Sequence, residues 1–109
     1  MRLTDQQRAQ FARDGYLFLP DQFDPEEVAA LRADIPRIFA MDRQEIWREK
    51  DGTSVRTAFA AHTYSDAFGK LARHPRMVEP VRQLLGGELY IHQFKINGKA
   101  AFQGDVWQW

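Results

Sequence analysis

Helix start and stop signals run from Thr4 to Gly86, and from Glu88 onward the side-chain pattern changes to a period of two. That change of period constrains the fold more than any other feature. A helix buries a stripe that recurs every three to four residues, whereas a strand buries every second side chain. A chain that carries the two patterns in successive blocks reads as α+β. Its 109 residues suffice for one modest core and therefore for one domain or part of one.

Thr4 followed by Gln7 forms a capping box, and Gly15 can end the helix it opens in a left-handed conformation. The next run, "YLFLP", is too short for a helix and predicts a buried strand closed by Pro20. A second helix starts at Asp24, with Pro25 at its first position and Glu27 at the box position. Val28, Leu31, Ile35 and Ile38 give it an apolar face, and Pro36 predicts a kink or a fresh helical segment. Asp51-Gly52 lies between two β-forming segments and predicts a hairpin. Ser65 can cap a short helix bearing Phe68 and Leu71. Pro75 opens and Gly86 closes another, within which Pro80 removes one hydrogen bond.

In "LYIHQFKINGK" alternation sorts Tyr90, His92, Phe94 and Ile96 onto a packing face and Leu89, Ile91, Gln93, Lys95 and Asn97 onto the other. If the chain stays extended, Lys99 joins Gln93 and Asn97 to make a row of two amides and an ammonium. Such a row either faces bulk water or lines a pocket whose ligand satisfies its donors.

Lys+Arg and Asp+Glu balance at 15 each, which removes the electrostatic drive for nucleic acid or an acidic membrane. The absence of cysteine excludes disulfides, thiolate metal sites and cysteine nucleophiles. No apolar stretch reaches membrane-spanning length and the N-terminus has no hydrophobic signal core, so the expected compartment is the cytoplasm. His62, His74 and His92 have no metal-ligand spacing among them; "RHPR" suits His74 to a surface or capping role. There is neither a phosphate-binding glycine loop nor a nucleophile elbow. No self-sufficient catalytic constellation is present.

The stretches "FARDGYLFLPDQFDPEEVAALRADI", "VRTAFAAH" and "LARHPRMVEPVRQLLGGELYIHQFKINGKAAFQGDVWQW" resemble the N-terminal half of bacterial phytanoyl-CoA dioxygenase family proteins, the group that includes ectoine hydroxylase. The most specific part is the order of "DGY.FLP", "LLG..LY.HQ.K.N.KA" and "W.W". The resemblance implies a non-haem Fe(II) and 2-oxoglutarate dependent dioxygenase on a double-stranded β-helix of the jelly-roll, cupin-like kind, buttressed by helices. It further implies that Gln93 reaches the substrate, that Asn97 and Lys99 hold 2-oxoglutarate, and that Arg56 lies near the pocket. Trp107 and Trp109 would be wall or core residues. In the family the His-x-Asp part of the iron triad directly follows a tryptophan like Trp109, where this sequence stops.

Residues 1–109 are therefore expected to be the N-terminal part of a single dioxygenase domain, with no catalytic or metal-ligating residue of its own. Fe(II) and 2-oxoglutarate would serve the complete enzyme, which hydroxylates a small metabolite, and neither would bind tightly to this chain alone. The apolar tail "FQGDVWQW" carries nothing that blunts a strand edge, which predicts self-association. The rival reading is a non-catalytic α+β interaction module that pairs through that strand.

Overall fold

Thr4 starts the first helix, α1 (Asp5–Asp14), by a reciprocal box: its hydroxyl accepts from the Gln7 N–H at 3.1 Å and its own N–H donates to Gln7 Oε1 at 2.8 Å. Gly15 closes α1 at φ 81, a conformation that a Cβ would disfavour. The structure, a computed structural model, describes residues 1–100. After α1 come α2 (Pro25–Phe39), β1 (Ile46–Arg48), β2 (Val55–Phe59), a 3-10 turn (Ala61–Thr63), α3 (Asp66–Arg73), α4 (Pro75–Leu85) and β3 (Lys95–Asn97). No helix among the described residues is long and apolar enough to cross a membrane.

The "YLFLP" segment is not a strand. Residues 16–19 lack regular structure and Phe18 is 75% exposed. Extended chain buries itself only when a ladder partner takes up its backbone groups, and this segment is not among the three strands β1-β2-β3 of the described sheet.

The second helix behaves as its cap predicts, with Asp24 accepting from Glu27 N–H at 2.8 Å and Glu27 reaching back to Asp24 N–H at 2.9 Å. Leu31, Ile35 and Ile38 turn into the core, but Val28 is exposed, because α2 meets the sheet only along its later turns. A single helix runs through Pro36. Its last carbonyl is capped from the sheet: the Arg48 guanidinium donates to Phe39 O at 3.2 Å and, just beyond the helix, to Met41 O at 3.4 Å.

Pro80 leaves the Arg76 carbonyl without the amide that a helix would supply four residues later. Gln22 Nε2 donates to that oxygen at 2.7 Å, which is how α4 tolerates a buried proline in its interior. Gln83, on the same helix, clamps the N-terminus. Its Oε1 accepts from Leu3 N–H at 2.8 Å and its Nε2 donates to Met1 O at 2.9 Å, holding Leu3 in a fully buried site.

The Asp51-Gly52 hairpin forms, through a loop wider than two residues. The Asp51 carboxylate accepts from the N–H groups of Thr53 and Ser54 at 2.9 Å each and from the Ser54 hydroxyl at 2.6 Å, while Gly52 takes φ 76. Both strand pairs are antiparallel, with Ile46, Trp47 and Arg48 opposite Ala58, Thr57 and Val55. The register slips at Trp47/Arg48, a bulge that brings Val55 rather than Arg56 opposite Arg48 and into the core.

The last strand is shorter than its sequence pattern. Only Lys95–Asn97 pair with β2, and residues 88–94 are irregular. Tyr90 is 87% exposed and His92 is exposed as well, so neither lies on the packing face that alternation assigns to them. The reason lies on the neighbouring strand: Ala60 adopts φ 56 and donates its N–H to Phe94 O at 2.9 Å, ending the ladder where the chain turns into the 3-10 segment. Phe94 and Ile96 do pack inward, against a core of Ile38, Ile46, Val55, Ala58, Ala61 and Phe68.

Candidate functional site: the open face of the sheet

Helices cover one side of the three strands. Ile46, Ala58 and Ile96 stand side by side across the sheet and point at the helical layer. By alternation, Trp47, Thr57 and Asn97 form the matching row on the opposite face, with Phe59 and Lys95 paired beside them. This open face concentrates chemistry. Trp47 is 59% exposed and meets the Phe59 ring edge-on at 5.4 Å, and the Lys95 ammonium lies 5.6 Å from the centre of that ring.

Thr57 is only 4% exposed, and its hydroxyl donates to Asn97 Oδ1 at 3.0 Å. Immediately after Asn97, Gly98 donates its N–H to Arg56 O at 2.9 Å, so the pairing continues one step past β3. A Cβ at Gly98 would stand 2.4 Å from Val55 O and 3.3 Å from Phe39 Cε2, which explains why the chain carries glycine there.

Of the three residues in the expected polar row, Asn97 alone sits on a strand, beside Thr57 and Trp47. Gln93 lies two residues before β3 and Lys99 two residues after it, both exposed and outside regular structure, so the three do not stand on one continuous strand. Arg56 is half-buried on β2. Trp107 and Trp109, and the tail on which self-association was expected, lie outside the described residues. Alternation in the sequence already set Lys95 on the face of Asn97, whereas Thr57, Trp47 and Phe59 carry no signal of a site; alternation through "VRTAF" would have found Thr57 and Phe59 once the pairing of the two strands was known.

The histidines serve other ends. His74 caps α4, its Nδ1 accepting from Arg76 N–H at 3.1 Å. His62 stacks at 4.8 Å on Phe94, and its Nδ1 is buried without a partner among the described residues. Among the described residues no three His, Cys, Asp or Glu side chains come together as a metal site. They therefore do not fit the iron that the family implies.

A groove of about 370 Å³ runs between α2 and α3, floored by Phe23, Leu31, Ala67 and Leu71. Its charged rim is already engaged within the chain. Glu27 is bound by Arg76 and Asp66 by Lys70. The Arg76 guanidinium, helped by the Asp24 backbone, holds the Glu27 carboxyl at about 2 instead of the usual 4.5. The groove thus belongs to the packing of the helical layer.

The family described as phytanoyl-CoA dioxygenase (PhyH) matches residues 11–109. The chain belongs to that family. It is 38% identical over 111 residues to an ectoine dioxygenase from Bordetella parapertussis, covering 98% of this chain and 36% of the relative. It is 35% identical over 102 residues to an L-proline trans-4-hydroxylase from Streptomyces griseoviridis, covering 94% of this chain and 38% of that protein. Among solved structures it resembles EctD from S. alaskensis with bound Fe at TM-score 0.80 and 35% identity, covering 87% of this chain and 35% of that one. The same protein with 2-oxoglutarate and 5-hydroxyectoine gives TM-score 0.79 over the same shares. This phytanoyl-CoA dioxygenase family chain spans about a third of the length of the curated relatives it matches. Its fold is the expected α+β one, a helical layer and a small three-stranded sheet that form part of the family's double-stranded β-helix.

Proposed function

We propose that this family member is the N-terminal segment of a non-haem Fe(II) and 2-oxoglutarate dependent dioxygenase that hydroxylates a small metabolite in the cytoplasm. The observation that carries the reading is the two-sidedness of the sheet. Helices bury the Ile46, Ala58 and Ile96 face, and the opposite face offers Asn97 and Lys95 beside Trp47 and Phe59. A surface of that composition suits the wall of a polar-ligand cavity better than a second packing layer.

The relatives named ectoine dioxygenase and L-proline trans-4-hydroxylase support a small polar substrate. The EctD structures with bound Fe and with 2-oxoglutarate support those cofactors in the complete enzyme. No three His, Cys, Asp or Glu side chains come together as a metal site among the described residues, and on this reading the segment's part is to bind and orient. Asn97 and Lys99 fit a dicarboxylate, through amide donors and an ammonium, and Gln93 is directed to the substrate. The strand-pairing interaction module finds no support among the relatives.

The test replaces the matching segment of the S. alaskensis enzyme with this chain and measures succinate release with Fe(II), 2-oxoglutarate and ectoine or proline. Substrate-dependent succinate from the joined protein, with none from the isolated chain, is the expected result. A folded hybrid that makes no succinate with either substrate, or turnover by the isolated chain, contradicts the reading.

A further inference from the structure

We infer that Thr57 is a positioning residue for Asn97: its buried hydroxyl fixes the carboxamide so that the open sheet face presents an N–H donor pair, suited to a carboxylate oxygen. The inference rests on the proposed cosubstrate-binding role of this face and adds to it a residue that acts through its neighbour.

The geometry supplies the reason. Thr57 lies opposite Asn97 in the antiparallel pair of β2 and β3, so their side chains share one face at the shortest cross-strand spacing. The hydroxyl is 3.0 Å from Asn97 Oδ1, and the residue that bears it is 4% exposed. A buried hydroxyl proton needs an acceptor. A carboxamide offers an acceptor at one end and two donors at the other. Were Asn97 turned over, its Nδ2 would meet Thr57 Oγ1 as a donor, and the buried hydroxyl proton would lose the acceptor it now has in Asn97 Oδ1. Thr57 therefore selects one of two orientations that an exposed asparagine would otherwise populate together.

The selected orientation holds Oδ1 inward and leaves Nδ2 without a partner among the described residues, on the face that also carries the Lys95 ammonium. A donor pair next to a cation complements an anionic oxygen and repels a second donor. Trp47 stands opposite Thr57 on the other side, on β1. Gly98 secures the C-terminal end of β3 through its bond to Arg56 O, so the strand that carries Asn97 is fixed along its backbone as well.

The experiment uses the full chain, isotopically labelled, and compares wild type with Thr57→Val and Thr57→Ser by NMR. Without ligand, Asn97 13Cγ should report an accepted hydrogen bond in wild type and in T57S and lose that signature in T57V, while the backbone amides of β2 and β3 hold their places. With 2-oxoglutarate titrated to about 50 mM against sodium chloride of matched ionic strength, weak binding in the millimolar range should move the Asn97 side-chain NH2 signals saturably in wild type. The affinity should fall roughly three- to tenfold in T57V, the cost of ordering one freed side chain, and recover in T57S.

An unchanged 13Cγ shift and unchanged affinity in T57V would overturn the positioning role. Asn97 NH2 signals that respond to 2-oxoglutarate no more than to salt would overturn the carboxylate assignment. Failure of the hybrid enzyme to release succinate, with these shifts intact, would count against the proposed function alone.

Discussion

Replacing Gln22 by Ala should destabilise the chain by an amount set by what stands at position 80. Gln22 Nε2 donates at 2.7 Å to the Arg76 carbonyl, the oxygen that Pro80 deprives of its helical partner. A net hydrogen bond is worth about 1 kcal/mol, and a partly buried carbonyl left without a donor adds a fraction of its desolvation penalty, so the cost in wild type is about 1.5 kcal/mol. In a Pro80→Ala background the backbone N–H restored by the substitution reaches the same carbonyl. The cost of Gln22→Ala should then fall below about 0.5 kcal/mol. The coupling energy of the double-mutant cycle is thus about 1 kcal/mol, and the packing that Pro80→Ala sacrifices cancels within it. The contact of Gln22 with Met1 Sδ is common to both backgrounds and cancels too. Urea unfolding followed by far-UV circular dichroism reads the cycle. With a slope of about 1.5 kcal/mol/M, the wild-type background should lose about 1 M in midpoint and the Pro80→Ala background less than about 0.3 M. Equal shifts in the two backgrounds would refute the assignment of Gln22 as the substitute donor.

Gly98→Ala should cost about 2 to 3 kcal/mol, since its Cβ would stand 2.4 Å from Val55 O, and backbone there cannot yield as a flexible side chain can; hydrogen exchange should show the amides of Thr57–Phe59 losing protection ahead of α3. The acid limb of stability should carry the signature of Glu27. Its carboxyl is depressed from 4.5 to about 2 by Arg76, so its contribution is fully present above pH 4.5 and is lost as pH falls toward 2. Glu27→Gln should flatten the stability profile across that window, and a wild-type profile that is already flat there would show that the pair contributes nothing.

Local signals in the sequence carried most of the helical layer. Thr4, Asp24, Ser65 and the glycines at 15 and 86 act within three or four residues of where they stand, so their caps could be read without knowing what packs on them. The sheet was legible only where alternation coincides with pairing. Phe94 and Ile96 turned inward as expected, but Tyr90 and His92 did not, because the ladder stops at the left-handed Ala60 just past the end of β2. The strand expected in "YLFLP" failed for the same reason: a short apolar run does not disclose whether a partner edge exists. Within the candidate site, alternation and family resemblance both pointed to Asn97, whereas Thr57, a small residue whose partner lies opposite it forty positions later, carries no local mark. The donor that Pro80 requires was equally invisible, since Gln22 comes from the loop before α2, far from α4 in sequence.

The role of the open sheet face is tested most directly by measuring KM for 2-oxoglutarate and for the hydroxylated substrate in the hybrid enzyme, with Asn97→Ala and Gln93→Ala introduced separately. Asn97→Ala should raise KM for 2-oxoglutarate about tenfold and leave that for the substrate nearly unchanged, and Gln93→Ala should do the reverse, the loss of one hydrogen bond to a charged or polar ligand in each case. Two variants with wild-type constants for both molecules would show that Asn97 on this face, and Gln93 just before it, lie outside the cavity.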